Sequence, residues 1–296
     1  MQTPTDSTPI FDPFVIKQPT CISFSGGRTS AYMLWRVLQS NHGLPNDSIV
    51  CFANTGKEMP ETLEFIKECS TRWKIPITWL EYKYDDDSHK RFKEVTYETA
   101  SRNGEPFAEM IDKNGKPFLP NPVMRICTVR LKIDPVYRYL KSIGWDDWDN
   151  MIGIRADEQR RAAKIRANPS DGRSGIFRLV PLADAKVTKE IVGDFWKKQD
   201  FDLGLPNHNG VTMHGNCDLC FLKPAKQIFS LIAEKPERAI WWVQMESKVE
   251  SKTGAFSDSA RFRKDRPSYS EMAKFAAQQK DMFDADEEAI ACFCGD

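Results

Sequence analysis

Compact apolar runs alternate with helix-patterned segments along the first half of this chain, and that alternation limits its fold more than any other feature. The runs are Cys21-Ile22, Ser48-Ile49-Val50-Cys51-Phe52-Ala53, Ile77-Thr78-Trp79-Leu80-Glu81-Tyr82 and Trp148 to Ile154. Between them Ala31, Leu34, Trp35 and Leu38 recur at helical spacing, Pro60-Glu61-Thr62 opens a segment running to Arg72, and Ile133 to Ile143 carries a further helical pattern. Strands and helices of these lengths in alternation predict an α/β fold with a doubly wound, mostly parallel sheet. Sheets of that kind bind ligands beyond the carboxyl ends of their strands. The first two runs end there in Ser25-Gly26-Gly27 and Asn54-Thr55-Gly56, which could face one ligand.

Strand, glycine turn and helix is the arrangement in which backbone N–H groups and a helix N-terminus meet an anion. Gly26 and Gly27 permit positive φ and close approach, Ser25, Thr29 and Ser30 add hydroxyls, and Arg28 adds charge. Such a turn can also merely reverse the chain, so the phosphate reading needs support from elsewhere.

Lys+Arg and Asp+Glu both number 42, a balance unlike that of a protein built for non-specific nucleic-acid binding, although local patches stay open. No apolar run approaches the ~18 residues of a membrane span. The Thr/Pro-rich stretch Met1 to Pro9 reads as a disordered lead-in and not a signal peptide. A cytoplasmic protein is expected, so its eight cysteines are read for metal binding or catalysis before disulfides.

Beyond the third run, Asp85 to Val123 reads as a long polar excursion with one short helix around Arg91 to Thr99 and a solvated Asp85-Asp86-Asp87 turn. After Ile154 come the charged stretch Arg155 to Arg161, a helix over Thr188 to Lys198, and a Gly/Asn/Pro-rich loop from Leu203 to Met213. Helices are expected over Ala225 to Glu234, Glu237 to Glu246 and Tyr269 to Gln279. The organisation anticipated is a lead-in at 1–14, a nucleotide-binding domain at 15–200, a cysteine knuckle with helices at 201–246, and an extension and acidic tail at 247–296.

Cys217-Asp218-Leu219-Cys220 has the spacing of two thiolates on one metal or cluster iron, with a redox dithiol and structural zinc as alternatives. Cys127 lies among Arg125, Arg130 and Lys132, cations that lower thiolate pKa values and offset cluster charge. A fourth ligand could be Cys292 or Cys294. Cys21, Cys51 and Cys69 read as buried small hydrophobes.

Taken together these segments resemble the adenine-nucleotide alpha-hydrolase superfamily, and within it the phosphoadenylyl-sulfate (PAPS) reductase / ATP pyrophosphatase family. Ser25-Gly26-Gly27-Arg28-Thr29-Ser30 is similar to its SGGxDS-type PP-loop, and Phe52 to Thr62 to its FxDTGxxxPET segment. Arg125-Ile126-Cys127 with Arg130, Lys132 and Pro135 resembles CCxxRKxxP, and Gly153-Ile154-Arg155-Ala156-Asp157-Glu158 resembles GxRxxES. Pro181 to Asp184 and the Cys217–Cys220 knuckle follow in the family's order. The departures are Thr29 and Asn54, each where the family has Asp, and Thr128 where cluster-bearing reductases have a second Cys.

The resemblance implies a Rossmann-like fold with a helical, cysteine-bearing C-terminal part. It implies an adenine nucleotide (ATP, APS or PAPS, with Mg as an accompanying ion) held by Ser23, Ser25, Gly26, Gly27, Arg28, Thr29, Ser30, Asn54, Thr55, Gly56, Glu58, Gly153, Arg155, Glu158 and Arg161. It further implies a [4Fe–4S] cluster, or zinc in its place, on Cys127, Cys217 and Cys220, with Cys294, Cys292 or an open iron site as the fourth position. In a reductase, Cys294 or Cys292 would be the nucleophile, with Arg155 clamping the anion and a thioredoxin-like thiol as reductant. In an ATP pyrophosphatase, a nucleobase of tRNA or DNA would be adenylated and thiolated with sulfur from a donor, and Arg160 to Arg166 and Arg261 to Arg266 would touch nucleic acid. A zinc-stabilised binding module without catalysis is the third reading. A homodimer is compatible with each.

Overall fold

The computed structural model describes residues 11–112, 115–170, 172–173, 175–208, 211–253 and 260–278. Cys292 and Cys294 lie outside the described residues.

Strand β1 (Thr20–Ser23) enters the glycine turn and helix α1 (Arg28–Ser40). Then come β2 (Ser48–Asn54), α2 (Pro60–Trp73), β3 (Thr78–Glu81), β4 (Lys93–Val95) and α3 (Glu105–Asp112). A single turn α4 (Ile126–Thr128) runs through the π-helical stretch Val129–Ile133 into α5 (Asp134–Ser142). That widening directly precedes Pro135, which has no N–H to return to the preceding turn.

Next are β5 (Trp148–Ile152), α6 (Gln159–Ala167), β6 (Ile176–Leu179), α7 (Pro181–Asp184) and α8 (Lys189–Trp196). A small hairpin of β7 (Asn207–His208) and β8 (Val211–Thr212) leads to the cysteine knuckle. Helices α9 (Ala225–Glu234), α10 (Arg238–Thr253) and α11 (Tyr269–Gln278) complete the described chain.

The main sheet has six strands in the order β4-β3-β2-β1-β5-β6. All neighbours are parallel except β3 and β4. The chain therefore winds outward through β2 and β3, then returns to the other side of β1 with β5. The switch point lies between β1 and β5, and the crevice outside their carboxyl ends is where such sheets bind ligands.

Apolar side chains of α1, α2 and α8 cover one face around Ile22, Phe52, Ile66 and Trp196. Helix α5 covers the other, with Leu140 packed on Cys21, Cys51, Leu80 and Trp148. A separate core joins α3, α9, α10 and α11 to the knuckle through Phe107, Phe221, Trp242, Phe262 and Tyr269. Cys21, Cys51 and Cys69 are buried, and burial pushes the thiol of Cys69 well above its ordinary value.

Several expectations need correction. The segment Arg91 to Thr99 is not a helix: it contributes β4, an edge strand whose exposed Lys93 and Glu94 suit an open edge. The helix of that excursion lies later, over Glu105–Asp112, where Phe107, Met110 and Ile111 form its buried face. The charged stretch after Arg155 continues as α6, and the helix expected to stop at Glu246 runs on to Thr253.

Candidate nucleotide site

Helix α1 begins at the glycine turn, and its first intrahelical bond runs from the Ala31 N–H to the Gly27 carbonyl at 3.0 Å. The N–H groups of Arg28, Thr29 and Ser30 thus have no acceptor within the helix, the usual condition of a helix start. Gly26 sits at φ +78°, and a Cβ there would lie 2.6 Å from Thr62 Cγ2. Only glycine gives this turn both its conformation and its packing on α2. Gly27, by contrast, is extended, with φ −94° and ψ 162°, so its expected positive φ is not used.

The hydroxyls of the turn brace one another. Ser30 Oγ accepts from the Ser25 N–H at 3.2 Å, donates to the Gly27 carbonyl at 3.0 Å, and lies 2.9 Å from Ser25 Oγ. Over this turn is a small cleft of about 30 Å³ lined by Ser25, Gly26, Gly27, Arg28, Glu58 and Thr62. Its far wall is made by Lys132, Leu203, Thr212, Gly215 and Asn216. That volume is far below the roughly 300–1,000 Å³ of most small-molecule sites.

Arg28 does not point a free charge at the cleft. Its buried guanidinium pairs with Asp202 (Nε to Oδ1 2.7 Å), donates to the Leu205 carbonyl at 2.9 Å and reaches Thr212 Oγ1 at 3.1 Å. Its guanidinium thus ties the glycine turn to the segment 202–212 beside it. Ser23 is likewise engaged elsewhere, donating to Asn150 Oδ1 at 2.7 Å across β1 and β5.

Asn54, Thr55 and Gly56 lie under the site. Asn54 is fully buried; its Nδ2 donates to Glu81 Oε1 at 2.6 Å and to the Ser101 carbonyl at 2.9 Å, and its Oδ1 accepts from the Gly56 N–H at 3.1 Å. Glu81, also fully buried, accepts from the Ser101 N–H at 2.6 Å and Oγ at 2.8 Å and pairs with Lys93 at 2.9 Å. The carboxylate of Glu58 accepts from the Thr55 N–H and hydroxyl, each at 2.9 Å, which fixes it at the edge of the cleft.

On the β5 side, a Cβ on Gly153 would come 3.2 Å from Ser30 Cα, so glycine lets that strand end approach α1. Arg155 then reaches across, Nη1 donating to Thr29 Oγ1 at 2.9 Å, while Asp157 and Glu158 flank its guanidinium. Arg161 pairs with Glu158, and its buried Nη2 has no hydrogen-bond partner. Arg155, Glu158 and Arg161 therefore form a rim joined to the glycine turn through Thr29.

Cys127, Cys217 and Cys220 pack in one cluster with Leu131, Leu219 and Phe221. Burial, with Cys217 and Cys127 nearby, pushes the Cys220 thiol far up. Cysteines grouped in this way could ligate a soft metal or an iron cluster as thiolates, whose negative charge the metal would offset. Among the described residues, however, no group of three or more His, Cys, Asp or Glu side chains is closed around a position for a metal ion.

The knuckle is fastened to the site by Lys57. Its ammonium pairs with Asp218 at 2.9 Å and lies 5.2 Å from the Trp241 ring, while the Asp218 N–H donates to the Lys57 carbonyl at 2.8 Å. Thr55 Oγ1 is 3.5 Å from Cys217 Sγ. Of the site's other residues, Lys132 was placed by sequence only within a motif. Asp202 and Thr212 carried no sequence signal beyond being polar, and Glu81 was read only as part of the third apolar run.

Comparison with known proteins finds relatives of this chain. Residues 19–202 match the model of the phosphoadenosine phosphosulfate reductase domain. An uncharacterized nin region protein of Escherichia phage lambda is 33% identical over 213 residues, covering 70% of this chain and 67% of that protein. An uncharacterized protein of Methanocaldococcus jannaschii is 28% identical over 152 residues, 51% of this chain but only 26% of its own length. Among solved structures, a phosphoadenylyl-sulfate reductase from Candida auris in complex with phosphate aligns at 14% identity with a TM-score of 0.37, covering 62% of this chain and 73% of that one. Among the described residues, no helix is long and apolar enough to cross a membrane.

Proposed function

Because this chain belongs to the phosphoadenosine phosphosulfate reductase domain family, we propose that it is an enzyme that binds an adenine nucleotide at the Ser25–Ser30 turn and acts on an adenylated sulfur or acyl-like centre there. The observation that carries this reading is the turn itself. N–H groups at the start of α1 that have no acceptor within the helix, Gly26 at positive φ, and Lys132 across the cleft together favour a phosphate or sulfate group. Arg155, adjacent through Thr29, adds a second cation at the rim.

In the reductase form, a cysteine thiolate attacks the sulfur of adenylated sulfate. The new S–S bond forms as the S–O bond to the nucleotide phosphate breaks, leaving an S-sulfonate and the nucleotide. A thiol reductant then attacks the cysteine sulfur, releases sulfite and leaves a disulfide. Cations at the turn and rim hold the sulfate and steady the departing phosphate charge. Cys292 and Cys294 are the nucleophiles we propose for this form.

A second reading keeps the nucleotide and changes the acceptor: ATP adenylates a nucleobase carbonyl with loss of pyrophosphate, and sulfur displaces AMP. What favours it is the fastening of the Cys217–Cys220 knuckle to the floor of the site through Lys57–Asp218 and Thr55. Cys127, Cys217 and Cys220 would hold an iron–sulfur cluster or zinc, which would supply a sulfur-binding Lewis-acidic centre.

Isothermal titration with ATP, adenylyl sulfate and phosphoadenylyl sulfate tests the nucleotide site directly. Sulfite release from an adenylated sulfate, abolished in a Cys292→Ser/Cys294→Ser double variant, supports the reductase. Pyrophosphate release from ATP that depends on added RNA or DNA selects the second reading. Failure of all three nucleotides to bind overturns both.

A further inference from the structure

At the opposite end of the sheet from the nucleotide cleft, helices α1 and α2 end on a shared groove of about 710 Å³. Ser48, the first residue of β2, lines this groove, whereas Asn54, the last, lies under the cleft. At ~3.3 Å per residue the strand holds the two places roughly 20 Å apart. The groove has the volume of a small-molecule site, roughly 300–1,000 Å³, which the cleft does not.

Two indoles line it, Trp35 from α1 and Trp73 from the last residue of α2. Each is fixed by contacts with other rings: Trp35 with Tyr32 at 5.9 Å and Phe195 at 4.7 Å, Trp73 with Phe201 at 6.1 Å. Both nevertheless stay only half-buried. An indole held in this way offers a ligand a flat apolar surface at little cost in side-chain entropy.

Among the described residues, the side chains of Gln39, Asn46, His42 and Lys74 in this groove have no hydrogen-bond or ion-pair partner. Arg28 and Asn54 at the cleft, by contrast, are tied to internal partners. The two amides can both donate to and accept from the edge of a ring. His42 and Lys74 are the ionisable side chains that line the groove, and no acidic residue lines it. Both stand in left-handed backbone, at φ +56° and +53°, just beyond α1 and α2. Glycine is the residue that takes this conformation without strain, yet both positions carry a basic side chain. The helix dipole favours a cation anywhere in the last turn, so it does not account for placing both at the strained position. An uncharged apolar ligand would strip water from all four polar side chains and return no hydrogen bond.

We propose that this groove binds a planar aromatic ligand carrying an anionic group, a nucleoside monophosphate or an aromatic carboxylate. The ring lies against Trp35 and Trp73, its polar edge meets Gln39 and Asn46, and the anion is held by Lys74 and His42. Groove and cleft share no lining residue, so binding in one does not presuppose binding in the other.

Isothermal titration with AMP and with indole-3-acetate tests this on the full-length protein. Wild type should bind at least one of them at a site that added salt weakens. The double variant His42→Gly/Lys74→Gly puts glycine at both left-handed positions. Its melting temperature should hold or rise while affinity at this site falls about tenfold, a combination that a merely structural role would not produce. Trp73→Ala should weaken binding by about tenfold or more through the lost ring contact, and Trp73→Phe should restore part of it. Gly26→Ala, which disturbs the cleft, should keep the binding component that the double glycine variant loses. Binding of AMP alone supports a nucleotide in the groove, and binding of indole-3-acetate alone an aromatic carboxylate. Neither probe bound by wild type, or equal affinity in wild type and the folded double glycine variant, overturns the proposal. A dimer in sedimentation that the same variant dissolves overturns it too, because a second copy would then fill the groove. Groove binding without any nucleotide binding at the cleft would refute the nucleotide reading and leave this one standing.

Discussion

Replacing Asn54 by Asp would restore the residue that the resembling family carries at this position, yet here it should damage the protein. Asn54 Nδ2 is 2.6 Å from Glu81 Oε1 and 2.9 Å from the Ser101 carbonyl, and both side chains are fully buried. An Asp there would set a second carboxylate oxygen against the first and remove both donated hydrogen bonds. At ~3 Å and an effective dielectric of ~20, two ionised carboxylates repel by about 5 kcal/mol. The folded protein avoids most of that by protonating one of them. Holding a carboxyl of ordinary pKa ~3.9 neutral at pH 7 costs about 4 kcal/mol, so the expected loss is about 3–4 kcal/mol.

The sign of the pH dependence follows. The variant's folded state binds a proton that its unfolded state has released, so its deficit grows as pH rises above ~4 and shrinks by about 1.4 kcal/mol per pH unit on acidification. Urea unfolding of wild type and Asn54→Asp between pH 5 and 8 measures it. The exchanged pair Asn54→Asp/Glu81→Gln should recover a large part of the loss, because one carboxylate and one amide again face each other. A single variant within about 0.5 kcal/mol of wild type at pH 7, with no pH dependence, would refute this account of the floor of the site.

Three further outcomes are expected. Arg28→Gln leaves Asp202, Thr212 and the Leu205 carbonyl without their donor, so stability should fall by about 2–3 kcal/mol, and limited proteolysis should cut faster within 203–216. Gly26→Ala forces a side chain onto φ +78° and against Thr62, and calorimetry should show nucleotide affinity reduced by at least about tenfold. Glu246 accepts from the Phe262 and Tyr269 N–H groups, and burial raises its carboxyl from 4.5 to about 7. Its proton is held in the folded state and lost in the unfolded one between those values. Stability should therefore decline as pH climbs from ~4.5 to ~7, by at most about 3 kcal/mol, and Glu246→Gln should flatten that slope in chemical denaturation.

The four parallel central strands were legible because both faces of each are covered, which writes a nearly continuous apolar run into the sequence. The outer strands gave no such signal. Strand β4 is an open edge with exposed Lys93 and Glu94, and β6 leaves Phe177 half-exposed, so neither shows a two-sided run. At the site, the glycine turn was legible because its chemistry is local: Gly26 and its hydroxyl neighbours act within a few residues. The role of Arg28 was not. Whether an arginine faces a ligand or an internal partner depends here on Asp202, 174 positions away, and no local pattern encodes that distance.

The two departures from the family pattern have different physical meanings. Asn54 lies under the floor, where the neighbouring strand end already supplies a carboxylate, so its amide is the partner that Glu81 requires. Thr29 lies at the rim, where its hydroxyl accepts from Arg155, whose guanidinium is opposed among the described residues by Asp157 and Glu158. An Asp at position 29 would close an ion pair with Arg155 directly beside the turn and lower the positive potential that an incoming anion meets. Thr29→Asp should therefore preserve or raise stability while weakening the binding of phosphate-bearing ligands, whereas Asn54→Asp should do harm through stability first. Melting curves and nucleotide titrations on the two variants separate these effects. Equal behaviour of the pair would mean that both positions act on the ligand, and that the buried Asn54–Glu81 bond is not what makes an amide necessary there.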